Sequence, residues 1–162
     1  MKHGAGMYGV VVAGVLSAIL YTSPATGELL SKKGVSLEDA KKMAAGAAAE
    51  ARKNKWNMAI AVIDEGGNLV YFERLDETQI ASADIAIGKA RTAVTYKRPT
   101  RALEDAINSG QNAILTYPNT LPREGGLPII VDGKVVGGIG VSGAKSSEDA
   151  QVAKAGVDAF SK

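Results

Sequence analysis

The residues 123–160, REGGLPIIVDGKVVGGIGVSGAKSSEDAQVAKAGVDAF, constrain this chain most. Two apolar, β-rich runs are joined there by Asp132-Gly133-Lys134. Asp-Gly between such runs is a strong short-range hairpin signal, because a two-residue hairpin turn needs positive φ at its centre. The glycines that follow, Gly137, Gly138, Gly140 and Gly143, lie in and just after a strand. Glycine weakens a strand unless backbone or ligand must come close. The pattern therefore predicts an antiparallel strand pair whose far end meets a closely packed partner or a ligand.

Gly138-Ile-Gly140-Val-Ser-Gly143 spells GxGxxG between a strand and a helix. A dinucleotide site also needs a following parallel strand with an acidic residue about 20 positions on. Here one helix follows and the chain ends, so that reading is set aside. A P-loop also misses, because Ala144 intrudes before Lys145-Ser146. What survives is a glycine-rich strand end beside a helix N-terminus, where Lys145 and the amides near Ser146 and Ser147 would favour an anion.

The rest of the chain divides cleanly. Ser36-Leu-Glu-Asp39 resembles a capping box, and Leu37, Ala40, Ala44, Ala47, Ala48 and Ala51 follow at helical spacing. Residues 56–64 read as a strand, Glu65-Gly66-Gly67-Asn68 as a turn and 69–74 as the returning strand. A helix is expected over 82–95 and a short one over 100–108, begun by Pro99 and stopped by Gly110. In the last helix Ala150, Ala153, Val157 and Phe160 are expected to face inward. The two hairpins predict an α+β domain: an antiparallel sheet flanked by helices over 35–162. The small-residue helix faces suit packing against another chain, so a homo-oligomer is expected.

Residues 111–126 form the longest irregular stretch, and such stretches are often functional. Tyr117, Arg123 and Glu124 lie there, followed by Gly125 and Gly126, whose amides can turn towards a ligand. On the helical side, Arg91 and Arg98 could hold carboxylates in bidentate fashion. With Gly140 and Lys145 at the strand end, these residues make up the expected ligand site. The bland alternative is a solvated charged face with weak ion pairs.

Over about 35–160 the chain resembles the GlcG-like or haem-degrading-domain family. The resemblance is carried by REGGLPIIVDGKVVGGIGVSG with DAQVAKAG, by AIAVIDEGGNLV at 59–70 and by KARTA at 89–93. That family includes extracellular haem-binding proteins and a cobalamin-associated domain of adenosyltransferases. The resemblance implies a profilin-like α/β fold, usually oligomeric, and haem or another anionic tetrapyrrole as ligand.

Haem iron is held by histidine, methionine, cysteine or tyrosine. The chain has no cysteine, and its single histidine is His3. The remaining candidates are Met43, Met58, Tyr71, Tyr96 and Tyr117, each also explicable by packing. Propionate-led binding without an axial ligand stays open. No metal site is expected among acidic residues. Without histidine in the mature chain, no serine triad can form around Ser142, and enzymatic chemistry is not assigned.

Residues 1–25 have the layout of a secretory signal peptide. Lys2 and His3 precede an apolar stretch, 7–20, and Ser23 and Ala25 stand three and one before a cut. The apolar run is shorter than the ~18 residues that usually span a bilayer. A retained anchor is the alternative, and it would suit an accessory subunit of a membrane complex. Both place the domain in the periplasm or outside the cell, after a linker at 26–34. Net charge is +2 and aromatics make up 5%, with no groove-reading motif, so nucleic acid is not an expected partner. N-terminal sequencing of protein from its native cells should find a chain starting at Thr26. An intact Met1 in the cytosolic fraction would contradict export.

Overall fold

The computed structural model describes Met1, residues 27–28 and residues 30–161. It divides into two units, Met1–Ser31 and Lys32–Lys162. The described residues of the first have no regular secondary structure. The expected signal segment, apart from Met1, lies outside the described residues. No helix among the described residues is long and apolar enough to cross a membrane.

The second unit contains α1 (Leu37–Lys53), β1 (Ala59–Asp64), β2 (Leu69–Arg74), α2 (Ser82–Thr95), α3 (Thr100–Asn108), β3 (Gly126–Val131), β4 (Lys134–Ser142) and α4 (Ser146–Phe160). A 3-10 segment, Asn112–Thr116, interrupts the irregular stretch. The strands form one sheet in the order β2-β1-β4-β3, and every pairing is antiparallel. The GxGxxG string thus lies on and just after an antiparallel strand, with no parallel neighbour for a dinucleotide crevice.

Both hairpins turn for local reasons. Asp132 and Gly133 take φ of 50° and 73°, the left-handed pair that matches the twist of flanking strands. In the first hairpin the Asp64 carboxylate accepts from the Gly66 and Asn68 amides at 2.9 and 2.8 Å, and so holds the turn. β1 begins later than expected, at Ala59. Lys55, at φ 60°, has already redirected the chain after α1.

β1 alternates cleanly. Ile60 and Val62 face a core built with α1 and α4, while Ala59, Ala61 and Ile63 face α2. α1 is capped by Ser36 Oγ, which accepts from the Asp39 amide at 3.1 Å, and it carries Glu38 and Asp39 in its first turn. Its buried stripe is Ala40, Met43, Ala44, Ala47, Ala48 and Ala51. Leu37, expected in that stripe, is exposed and Met43 fills the core instead. In α4 the buried residues are Asp149, Val152, Ala153 and Gly156, with Val157 and Phe160 half-buried against the core. Ala150 is only half-buried.

The small residues of α1 and α4 serve these two helices themselves. A Cβ on Gly46 would stand 2.5 Å from the Ala159 Cβ, and one on Gly156 would stand 3.0 Å from the Met43 carbonyl. The close approach that these small residues permit is made within one chain.

The glycines of β4 have a parallel explanation. α2 lies directly on the strand, and a side chain on Gly140 would enter the Ala86 carbonyl and stand 2.5 Å from the Ala90 nitrogen. The missing side chains let helix backbone meet strand backbone. Gly140→Ala should therefore lower stability by about 1–3 kcal/mol, the usual cost of overpacking. Urea denaturation reads this as a lower midpoint at unchanged slope. Gly27→Ala, with nothing within 4 Å of its Cβ position, should leave the midpoint where it is.

Candidate functional site

The glycine seat brings a lysine inside. Lys89 lies on the buried face of α2, one turn beyond Ala86 and one before Ala93. Its Nζ donates to Asp149 Oδ2 at 2.7 Å and to the Val141 carbonyl at 2.9 Å. The two side chains are only 1% and 4% exposed. The other oxygen of Asp149 accepts from the Ala144 amide at 3.1 Å. One ion pair thus ties α2, the end of β4 and the start of α4. Burial pushes the Lys89 ammonium below its ordinary pKa and the Asp149 carboxyl above its own, and each partner opposes the other's shift.

The Gly125-Gly126 loop closes over this pair. Gly125 has φ +121°, and a Cβ there would stand 2.8 Å from Lys89 Nζ, the Asp149 Cβ and the Val141 carbonyl alike. Its carbonyl accepts from the Val141 amide at 2.9 Å. The Gly126 amide donates to buried Thr100 Oγ1 at 3.0 Å. A side chain on Gly126 would stand 2.7 Å from Thr100 Cγ2 and would enter the Lys89 carbonyl.

An outer ring of charges fastens the same loop to α3. The Glu124 amide donates to Glu104 Oε2 at 2.7 Å. Arg123 pairs with Glu104 at 3.3 Å, and Arg101 pairs with Glu124 at 3.0 Å. Arg123 and Glu124 are therefore engaged with α3.

A separate cleft of about 330 Å³ opens between α2 and the irregular stretch, lined by Gly88, Arg91, Tyr117, Asn119, Thr120 and Leu121. A Cβ on Gly88 would stand 2.8 Å from Leu121 Cδ1, and Leu121 is pinned by its amide donating to Thr92 Oγ1 at 2.7 Å. Arg91 donates from Nε to the Gly67 carbonyl at 3.1 Å, and its terminal nitrogens make no hydrogen bond to a described residue. Tyr117 stacks on Tyr96, with ring centroids 5.6 Å apart and planes 18° from parallel. Tyr96 is held in turn: its hydroxyl donates to the Pro118 carbonyl at 2.7 Å and accepts from Thr120 at 3.1 Å. A second cleft of about 370 Å³ lies at the other end of the β1–β2 hairpin, where Arg52, Lys55, Trp56 and Arg74 meet Glu73 and Asp76. Among the described residues, no three of His, Cys, Asp and Glu gather as a metal site.

The residues expected to form one site are thus distributed. Arg91 and Tyr117 share the first cleft. Arg98, beyond the end of α2, donates to the Tyr96 carbonyl at 3.1 Å and is exposed. Arg123 and Glu124 brace α3, Gly125 and Gly126 close the buried pair, and Gly140 seats α2. Lys145 is exposed and stands 3.9 Å from Glu148. The amides beside it are taken by this chain's own carboxylates, Ala144 by Asp149 and Lys145 by Glu148 at 3.0 Å. These two amides immediately precede the ones near Ser146 and Ser147 that were expected to favour an anion. Sequence reasoning missed Asp149 and the burial of Lys89. The signal was present, since each stands on the apolar stripe of its helix.

The family model described as haem degrading protein HbpS-like matches residues 35–158. The chain belongs to this family. Protein GlcG of Escherichia coli is 43% identical over 93 residues, which is 57% of this chain and 69% of GlcG. HbpS of Streptomyces reticuli, solved as a double mutant, is 34% identical with a TM-score of 0.76, covering 88% of this chain and 97% of that one. PduOC, solved as a haem complex, shares the fold at a TM-score of 0.71 and 24% identity, covering 78% of this chain and 94% of its own.

Removing one partner of a buried ion pair strands the other, at a cost of about 3–5 kcal/mol. Lys89→Met and Asp149→Leu should each show that loss in urea denaturation. The double variant should recover most of it, because apolar replacement of both partners removes the stranded charge. Single variants as stable as the parent would show that the pair does not hold the fold.

Proposed function

We propose that the protein is an exported binder of haem or a kindred anionic tetrapyrrole, taken up in the cleft between Arg91 and Tyr117. The observation that carries this is the pairing of a guanidinium with free terminal nitrogens and a braced tyrosine stack at one cleft. Haem presents carboxylates at its edge and a flat, largely apolar face. Arg91 fits the former through charge-assisted hydrogen bonds, while Leu121 and the edge of the Tyr117 ring fit the latter. Membership of the HbpS-like family and the haem in the PduOC structure support the same ligand class. When bound, the group would supply a redox-active iron. The nearby carboxylates, Glu104 of α3, Glu124 of the loop and Asp149 of α4, are engaged in ion pairs, so binding without turnover is the proposed role.

Export belongs to the proposal on the strength of residues 1–25. Self-association belongs to it as well: edge strand β3 leaves Ile130 57% exposed. Light scattering measures the mass.

Haemin titration of the purified protein should give a saturable Soret shift. Arg91→Ala should weaken binding about tenfold, the scale of one charge-assisted hydrogen bond. Arg74→Ala, in the other cleft, should leave binding as it is. The absence of any spectral change, with a stable partner co-purifying, would favour an accessory subunit of a larger complex instead.

A further inference from the structure

Haem iron bound by a protein is generally taken by a histidine, methionine, cysteine or tyrosine side chain. The described residues of this chain contain no histidine and no cysteine. Met43 and Met58 are fully buried in the core. Met1 falls in the segment read as a leader. Tyr71, on β2, packs on the core shared with α1. The hydroxyl of Tyr96 is engaged by Pro118 and Thr120. Tyr117 differs from all of these. Its side chain is exposed and lines the cleft, and its hydroxyl makes no hydrogen bond to another described residue.

We propose that Tyr117 is the protein's ligand to the iron of a haem bound in this cleft, through its phenolate oxygen. The inference rests on the haem-binding reading above. On ligation an Oη–iron bond forms and the phenol proton passes to solvent, which reaches the exposed side chain. A phenolate is a hard, anionic donor and suits ferric iron. The stack with Tyr96 fixes the ring plane, and Tyr96 is itself fixed at its hydroxyl. Arg91 places a positive charge in the same cleft.

The test compares the parent protein with Tyr117→Phe, which keeps the ring and its stack and removes only the oxygen. The ferric haem complex of the parent should show iron–phenolate bands in its resonance Raman spectrum, and Tyr117→Phe should lose them. Its haemin affinity should fall at least about tenfold, the scale on which even indirect partners of a metal ligand act. Affinity for metal-free protoporphyrin IX should be unchanged, because the ring contacts remain. Circular dichroism and urea denaturation should match the parent. Haemin binding without phenolate bands, or bands that survive in Tyr117→Phe, overturns the assignment and leaves the cleft reading standing. An iron spectrum changed by Tyr71→Phe or Tyr96→Phe and unchanged by Tyr117→Phe overturns it too. A parent protein that binds neither haemin nor protoporphyrin IX overturns the cleft reading and the ligand together.

Discussion

The Lys89–Asp149 ion pair is the interaction around which this domain is arranged. A lysine and an aspartate without water are costly to each other's neighbours unless every remaining polar group is met. Here they are met by the Val141 carbonyl and the Ala144 amide. Those partners come from the end of β4 and from the turn into α4. The pair therefore sets how α2, the sheet and α4 stand towards one another, and nothing bulkier than glycine can pass over it at position 125.

The same constraint accounts for the glycines. α2 must lie close enough to β4 for a lysine side chain to reach across the strand end. Gly140 permits that approach beneath Ala86 and Ala90, and Gly126 permits it beneath Lys89. A motif that looks like a nucleotide cradle is thus a seat for a helix. Arg123 and Glu124 complete the arrangement from outside, holding the loop to α3. What resembles a ligand loop in one dimension is a clasp in three.

The loop's charges are engaged within the chain, and the opposite side of α2 carries a different set. Arg91 lies two positions after Lys89 on the helix, and so faces away from the buried pair. The helix that carries the structural lysine inward carries the arginine outward, into the cleft closed by Tyr117 and Leu121. Rigid placement of α2 by the ion pair is what gives this cleft a fixed wall. The tyrosine stack gives it the other.

Local chemistry determined the elements of this protein. Asp132-Gly133 and Gly66-Gly67 made the hairpins legible, and the Ser36 cap, Pro99 and Gly110 marked helix ends. These are effects of φ preference and nearby hydrogen bonds, which operate within a few residues. The motifs at 59–70, 89–93 and 123–160 were enough for the family. The function of individual side chains was decided by tertiary structure. Lys89 and Asp149 are 60 positions apart, and only the fold makes them partners. Gly46 meets Ala159, and Gly140 meets Ala86, each again far apart along the chain. Arg91 and Tyr117 were both visible as candidates, but so were Glu124 and Lys145, and composition cannot separate a free guanidinium from a clasped carboxylate. Burial and pairing are properties of positions in space, and they fixed which charges stay engaged and which remain open to a ligand.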